Sequence, residues 1–221
     1  KILNTWLAIN YVKETDYALL FEAIAIFALI LLIVLFFYMK LVKLKKQLET
    51  LALTDPMTKL YNRRYFSEMS ERILNLAKRN KTDLSLIMLD IDNFKNINDA
   101  YGHKVGDDVI ISFAQTLSKF SRKSDIVCRF GGEEFILLLP ETNLSGATVI
   151  AEKIRAEIEN SSVKLNISQE IKFTASFGVG QVDIKNDASI ETVIKKADDA
   201  MYEAKESGKN KVCVQKDSYA N

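Results

Sequence analysis

The sequence predicts a mixed α/β domain carried behind one long apolar helix. Three observations predict it. Ala23 to Met39 is a run of 17 residues without a charge, while the rest of the chain has ordinary soluble composition. Downstream, helix-period segments alternate with short apolar runs, the pattern of helices laid on a buried sheet. A Gly131-Gly132 pair separates two of those runs, as a hairpin would. The 221-residue chain carries 30 Lys plus Arg against 29 Asp plus Glu, a net charge of +1, which argues against a nucleic-acid binder. Hydrophobic residues at 48% and charged residues at 27% exclude a disordered chain.

Residues 1–17 read as the end of an extracytoplasmic region. Ala18 to Met39 follows as a transmembrane helix of 22 residues whose one charge is Glu22. At 1.5 Å per residue it would span about 33 Å, enough for a bilayer core. Glu14 and Asp16 precede the run and no small-residue cleavage pattern follows it, unlike a signal peptide. Lys40, Lys43, Lys45 and Lys46 come next, so the C-terminal side is expected in the cytoplasm, at the inner membrane. Cys128 and Cys213 lie on that side, where free thiols are expected. His103 is the only histidine and no CxxC occurs, so a zinc site and a Ser-His-Asp triad lack support. An opening Lys1 in place of Met fits a fragment whose outer part precedes it.

Residues 40–53 read as a helical linker. Leu41, Leu44, Leu48 and Leu51 fall at spacings of 3, 4 and 3, a heptad seam. The seam suits a parallel dimer that passes a signal, or simply a helical extension of the span. Thr54-Asp55-Pro56 then stops the helix. The soluble domain is placed at 54–216, with 217–221 as a tail.

Within it, residues 63–80 form a helix with Phe66, Met69, Ile73, Leu76 and Ala77 on one face. Leu84 to Ile91 is a central strand, nearly all apolar. Residues 106–120 form a helix, and Ile126–Phe130 with Phe135–Leu139 a hairpin whose glycines are expected to supply positive φ. Residues 145–160 form a helix with Ser145 as N-cap, Ile171–Val182 a strand region, and residues 189–207 a helix stopped by Gly208. Lys211–Gln215 is a last strand. The order contains β-α-β-β-α-β, a ferredoxin-like plan.

Acidic residues gather at two places. Asp90 and Asp92 end the central strand, and Glu133 and Glu134 follow the glycine pair. In a ferredoxin-like sheet these strands are neighbours, so Asp90 and Glu133 could converge on one Mg²⁺. Two such ions would suit nucleotidyl transfer. Paired carboxylates also fit glycosidase chemistry, and the two glutamates alone fit a solvated hairpin tip. Lys205 and Lys209, four apart, suit either a solvated face or a clamp on triphosphate.

Gly131-Gly132-Glu133-Glu134-Phe135 resembles the GGDEF signature of diguanylate cyclases, in its GGEEF form. Three further motifs resemble the same family in order: Leu53-Thr54-Asp55-Pro56-Met57-Thr58 with Leu60, Asn62, Arg63 and Arg64; Asp90-Ile91-Asp92-Asn93-Phe94-Lys95 with Asn98, Asp99, Gly102, His103, Gly106 and Asp107; and Ala197-Asp198 through Met201-Tyr202, Ala204-Lys205 and Gly208-Lys209-Asn210. The resemblance runs from Leu53 to about Val214 and implies the nucleotidyl-cyclase variant of the ferredoxin-like fold.

It implies a membrane-anchored homodimer that condenses two GTP into cyclic di-GMP and two pyrophosphates. Asp90, Glu133 and the Ile91 carbonyl would bind Mg²⁺, or Mn²⁺ in its place. Glu134 would assist the attacking hydroxyl or a second metal. Asn98 and Asp107 would read guanine, a polar readout that rejects adenine. Phe94, Gly131 and Gly132 would line the nucleotide. Lys95 and Lys205 would hold the terminal phosphates. Lys209 stands where the family often has Arg, and keeps the charge without the bidentate fork. Arg122 and Asp125 resemble the family's inhibitory RxxD site for cyclic di-GMP, with Arg155 as a further contact. Ile2-Leu3, Trp6-Leu7 and Asp16 to Leu20 resemble the end of a periplasmic solute-binding sensor. A silent receptor of the same fold and a cyclase of mixed guanine–adenine product are the competing readings.

Overall fold

The computed structural model describes residues 2–51, 53–164, 170–184, 186 and 189–216, with the side chains of 2–16 and 46–51 left undescribed. The sequence readings that rest on the side chains of Ile2, Leu3, Trp6, Leu7, Asp16, Leu48 and Leu51, and on the tail 217–221, fall outside the described residues.

The chain divides into two units, Lys1–Ala52 and Leu53–Asn221. The first is one helix, α1 (Ile2–Leu51), so the boundaries expected at 17/18 and 39/40 are not breaks in the helix. Its segment Tyr17–Lys45 holds an 18-residue window with a mean hydropathy of 3.1 and is long and apolar enough to cross a membrane, by length and composition. Its large side chains are exposed, Phe21 and Phe27 at 68% each. A helix that exposes large apolar side chains all round has the composition of a membrane span.

The second unit is a sheet with helices on both faces. β1 (Tyr61–Asn62) leads into α2 (Arg63–Asn80), where Asn62 caps the helix by accepting from the Tyr65 amide at 3.0 Å. β2 (Leu84–Ile91) is buried at every position. Two helices follow, α3 (Phe94–Tyr101) and α4 (His103–Phe120). The sequence reading held only the second, beginning at 106; three of the eight α3 residues are Asn or Asp, which weakens the propensity signal. β3 (Ile126–Arg129) and β4 (Glu134–Pro140) form the expected hairpin. Next come α5 (Leu144–Asn160), the short pair β5 (Val163–Lys164) and β6 (Glu170–Ile171), β7 (Ala175–Gln181), α6 (Ile190–Glu206) and β8 (Val212–Val214). The cap of α5 is Asn143, not Ser145: its Oδ1 accepts from the Gly146 amide at 2.8 Å.

The main sheet runs β1-β3-β4-β2-β7-β8. Its central four strands have the ferredoxin-like order and are antiparallel, while β1 and β8 extend the two edges in parallel. Alternation along the strands divides the core. Ile87, Leu89, Phe135 and Leu137 face α4 and α5, meeting Val109, Phe113, Ala151 and Ile154. Leu86, Met88, Ile136 and Leu138 face α2 and α6, meeting Phe66, Leu74, Val193 and Met201. At Gly178 on β7, a methyl group would overlap the Ala197 carbonyl and the Met201 amide, so α6 lies directly on the strand backbone.

Candidate active site

The register of β2 against β4 brings the two acidic clusters together. Asp90 pairs with Glu134 across the ladder, and the Ile91 amide donates to the Glu133 carbonyl at 3.4 Å. The ends of both strands therefore carry Asp90, Glu133 and Glu134 to one corner of the sheet. Asp90 is 7% exposed. Burial pushes its carboxyl up to about 6, against the opposing effect of Lys205, and the charges of Glu133 and Glu134 push the same way as burial. The Lys205 ammonium on α6 sits 2.8 Å from Asp90 Oδ2. A buried carboxylate with acidic neighbours asks for more positive charge than one lysine supplies.

Among the described residues, no three His, Cys, Asp or Glu side chains are gathered as a metal cage. Mg²⁺ needs only one or two carboxylates and takes its remaining ligands from water and substrate phosphate. The oxygen-only donor set at this corner fits Mg²⁺ better than a softer metal.

The second acidic residue of the strand has a structural role. Asp92 is buried and accepts from Ser176 Oγ at 2.6 Å, Thr174 Oγ1 at 2.7 Å and the Asn210 amide at 3.0 Å. It thereby docks the turn after α6 onto the loop after β2. Lys209 lies in that turn with a positive φ of 62°, past the end of α6 rather than on a helical face with Lys205. Its Nζ donates to Asn93 Oδ1 at 2.6 Å.

The α3–α4 pair forms the neighbouring wall. A Cβ at Gly106 would overlap Asn98 Oδ1 and come within 3.2 Å of the Phe94 ring, so only glycine lets the two helices close with Asn98 between them. Asn98 is thus set beside the first turn of α4, next to exposed Asp107. Lys95 is exposed at the start of α3.

The glycine pair works differently from expectation. Neither Gly131 nor Gly132 has a positive φ; among the described glycines those are Gly102 and Gly208. A Cβ at Gly131 would lie 2.7 Å from Glu134 Oε2, the far end of a flexible side chain that can turn aside, so the glycine leaves room for the glutamate without being forced by backbone. The Glu134 carbonyl accepts from the Phe130 and Gly131 amides at 2.8 and 3.2 Å, which closes the turn.

Two residues that sequence reasoning did not place in the site hold this turn. Arg129 donates through Nε and Nη2 to the Gly132 carbonyl at 3.1 and 2.8 Å, and its Nη1 lies 3.2 Å from Asp55 Oδ1. Burial works against the Asp55 charge, but hydrogen bonds from Thr58 and the Arg129 guanidinium outweigh it and hold the carboxyl below its ordinary value. The available signal was an arginine ending an apolar strand, with one residue between it and the glycines.

The expected inhibitory residues lie elsewhere on the domain. Asp125 is buried, and its Oδ2 accepts from the Arg122 amide at 2.7 Å, so it shapes the turn that presents the exposed Arg122. Arg155 binds Glu152, Glu159 and Asn210 at 2.8 to 3.0 Å, which engages its guanidinium within this domain.

A family model described as "Diguanylate cyclase, GGDEF domain" matches residues 52–211. The chain belongs to this family. Diguanylate cyclase DgcM of Escherichia coli is 44% identical over 172 residues, covering 77% of this chain and 40% of that protein. Response regulator PleD of Caulobacter vibrioides is 39% identical over 163 residues, covering 73% of this chain and 36% of that protein. The chain therefore spans well under half of these relatives. The GGDEF domain of DgcB from Caulobacter crescentus, solved with c-di-GMP, superposes with a TM-score of 0.70 at 31% identity, covering 73% of this chain and 92% of that one. The active GGEEF domain of a Vibrio cholerae diguanylate cyclase gives 0.67 at 33% identity, covering 71% and 98%. In this GGDEF domain the second signature glutamate, Glu134, is the residue that β4 sets opposite Asp90, with Glu133 directly before it.

Proposed function

We propose that this GGDEF domain condenses two GTP into cyclic di-GMP and two pyrophosphates. The observation that carries the reading is the corner where buried Asp90 pairs with Glu134 across the ladder, with Lys205 at 2.8 Å. Asp90, Glu133 and the Ile91 carbonyl would hold Mg²⁺, which when bound neutralises phosphate charge and polarises the α-phosphate.

This chain's own residues do the rest. Asp107 accepts from the guanine edge, and the Asn98 amide both accepts from it and donates to it, fixing the base at the α3–α4 wall. Lys205, beside Asp90, supplies positive charge to the triphosphate, and Lys95 and Lys209 add charge at the terminal phosphates. Glu134 takes the proton of the 3′-hydroxyl as its oxygen bonds to the α-phosphorus of the facing GTP. The bond to pyrophosphate breaks in the same step, and the reaction repeats with the roles exchanged. One domain holds one GTP, so two copies must meet. The helix α1 anchors the protein in the inner membrane through Tyr17–Lys45, with the catalytic domain on the cytoplasmic side. The seam beginning at Leu41 and Leu44 aligns the two copies.

The test is the chain in detergent micelles with GTP and Mg²⁺, read by chromatography. One cyclic di-GMP and two pyrophosphates per cycle are expected, and Glu134→Gln is expected to abolish turnover while retaining the thermal unfolding profile. Absence of product at high protein concentration, together with tight binding of cyclic di-GMP, would instead establish a silent receptor. Incorporation of adenine from an equimolar ATP–GTP mixture would overturn the guanine assignment of Asn98 and Asp107.

A further inference from the structure

A cavity of about 380 Å³ lies between the turn that opens the domain and the end of α4. Its lining includes Lys59, Arg122, Lys123 and Asp125. Three cations face one carboxylate, and that carboxylate is already engaged by the Arg122 amide at 2.7 Å. The cavity therefore favours a ligand carrying two negative charges.

Lys59 is the unexpected member. It is exposed and has a φ of 62°, the left-handed region that favours glycine. The turn is rigidly built: the Lys59 amide donates to the Asp55 carbonyl at 2.9 Å, and the Asp55 amide to the Leu60 carbonyl at 2.8 Å. The Thr58 amide and hydroxyl both reach Asp55 Oδ1 at 2.8 Å. A long cationic residue held in a conformation suited to glycine, on the rim of a basic cavity, is backbone strain placed where a ligand would bind.

We infer that Lys59 is a third cationic contact of the product-inhibition site, gripping a phosphodiester of cyclic di-GMP together with Arg122 and Lys123. This rests on the reading of Arg122 and Asp125 as an inhibitory site. A ligand held there bears on the same turn whose Asp55 anchors Arg129 and, through it, the Gly132 carbonyl. Occupancy of the cavity thus reaches the catalytic hairpin through two named contacts.

The experiment is equilibrium binding of cyclic di-GMP to the whole chain in detergent micelles, by calorimetry, across a salt series. Lys59→Gln, Lys59→Arg and Lys59→Gly are compared with Arg122→Ala. Lys59→Gln is expected to weaken binding about tenfold and flatten its salt dependence, and Lys59→Arg to restore both. Lys59→Gly relieves the backbone, so it is expected to match Lys59→Gln in binding while unfolding at an equal or higher temperature. Weakening by Arg122→Ala with wild-type binding in Lys59→Gln and Lys59→Gly would overturn the role of Lys59 and leave the inhibitory site standing. Wild-type binding in all four variants would overturn the inhibitory-site reading itself.

Discussion

Asp90 has the strongest pH consequence of any single residue here. Its carboxyl is pushed up to about 6 from an ordinary 3.8, with burial the largest cause. Between those values the folded domain binds the proton more tightly than the unfolded chain, so stability falls as pH rises through the window. Above it the ionised group costs about 3 kcal/mol. In the metal-free protein, Asp90→Asn is expected to raise stability by that amount at pH 7.5 and by little at pH 4, read by urea unfolding. Lys205, 31% exposed, can turn to solvent in the variant. Equal stability at both pH values would show that burial does not strain this carboxylate. Mg²⁺ competes with the same proton, so turnover is expected to drop as pH falls below about 6. The Cys128 thiol is simpler: burial pushes it up to about 12 and it is fully enclosed. An alkylating reagent is expected to modify Cys213 alone in the folded domain and both thiols after unfolding; rapid native labelling of Cys128 would contradict its enclosure.

Among the elements, the β3–β4 hairpin and the α6–β7 contact are the most exacting. The hairpin is aimed by Arg129, which spans Asp55 and the Gly132 carbonyl. Arg129→Ala is expected to lower kcat at least about tenfold with a much smaller change in KM, since it displaces acidic groups rather than the guanine site. A pure KM effect would assign Arg129 to substrate binding instead. At the other contact, Gly178→Ala puts a methyl group onto helix backbone that has no rotamer to yield. A loss of about 3 kcal/mol is expected. Unchanged stability would mean that α6 can slide along β7.

The whole molecule joins an apolar helix to a domain that cannot complete its proposed reaction alone. Specific activity is therefore expected to rise with protein concentration in dilute micelles. Replacing Leu44 and Leu48 with polar residues is expected to shift that rise to higher concentration. Activity independent of both would remove the seam as the element that pairs the domains.

Much of this was legible from residue order, because it depends on local chemistry. Seventeen uncharged residues specify an apolar surrounding, and strand and helix periods specify which faces are buried. Four motifs in family order identify the acidic corner before any strand is paired. Local patterns do not carry register, space or the destination of a hydrogen bond. The pairing of Asp90 with Glu134 depends on how β4 lies against β2. The glycines at 131 and 132 lack the positive φ that their pairing suggests, and Asp92 proves structural because Thr174, Ser176 and Asn210 arrive from across the sheet. The partnership of Asp55 and Arg129, 74 residues apart, is likewise invisible along the chain. Sequence alone determined the chemistry available to this protein; the tertiary structure decided which carboxylate is buried and which is spent on the scaffold, because burial and hydrogen-bond partners are properties of packing.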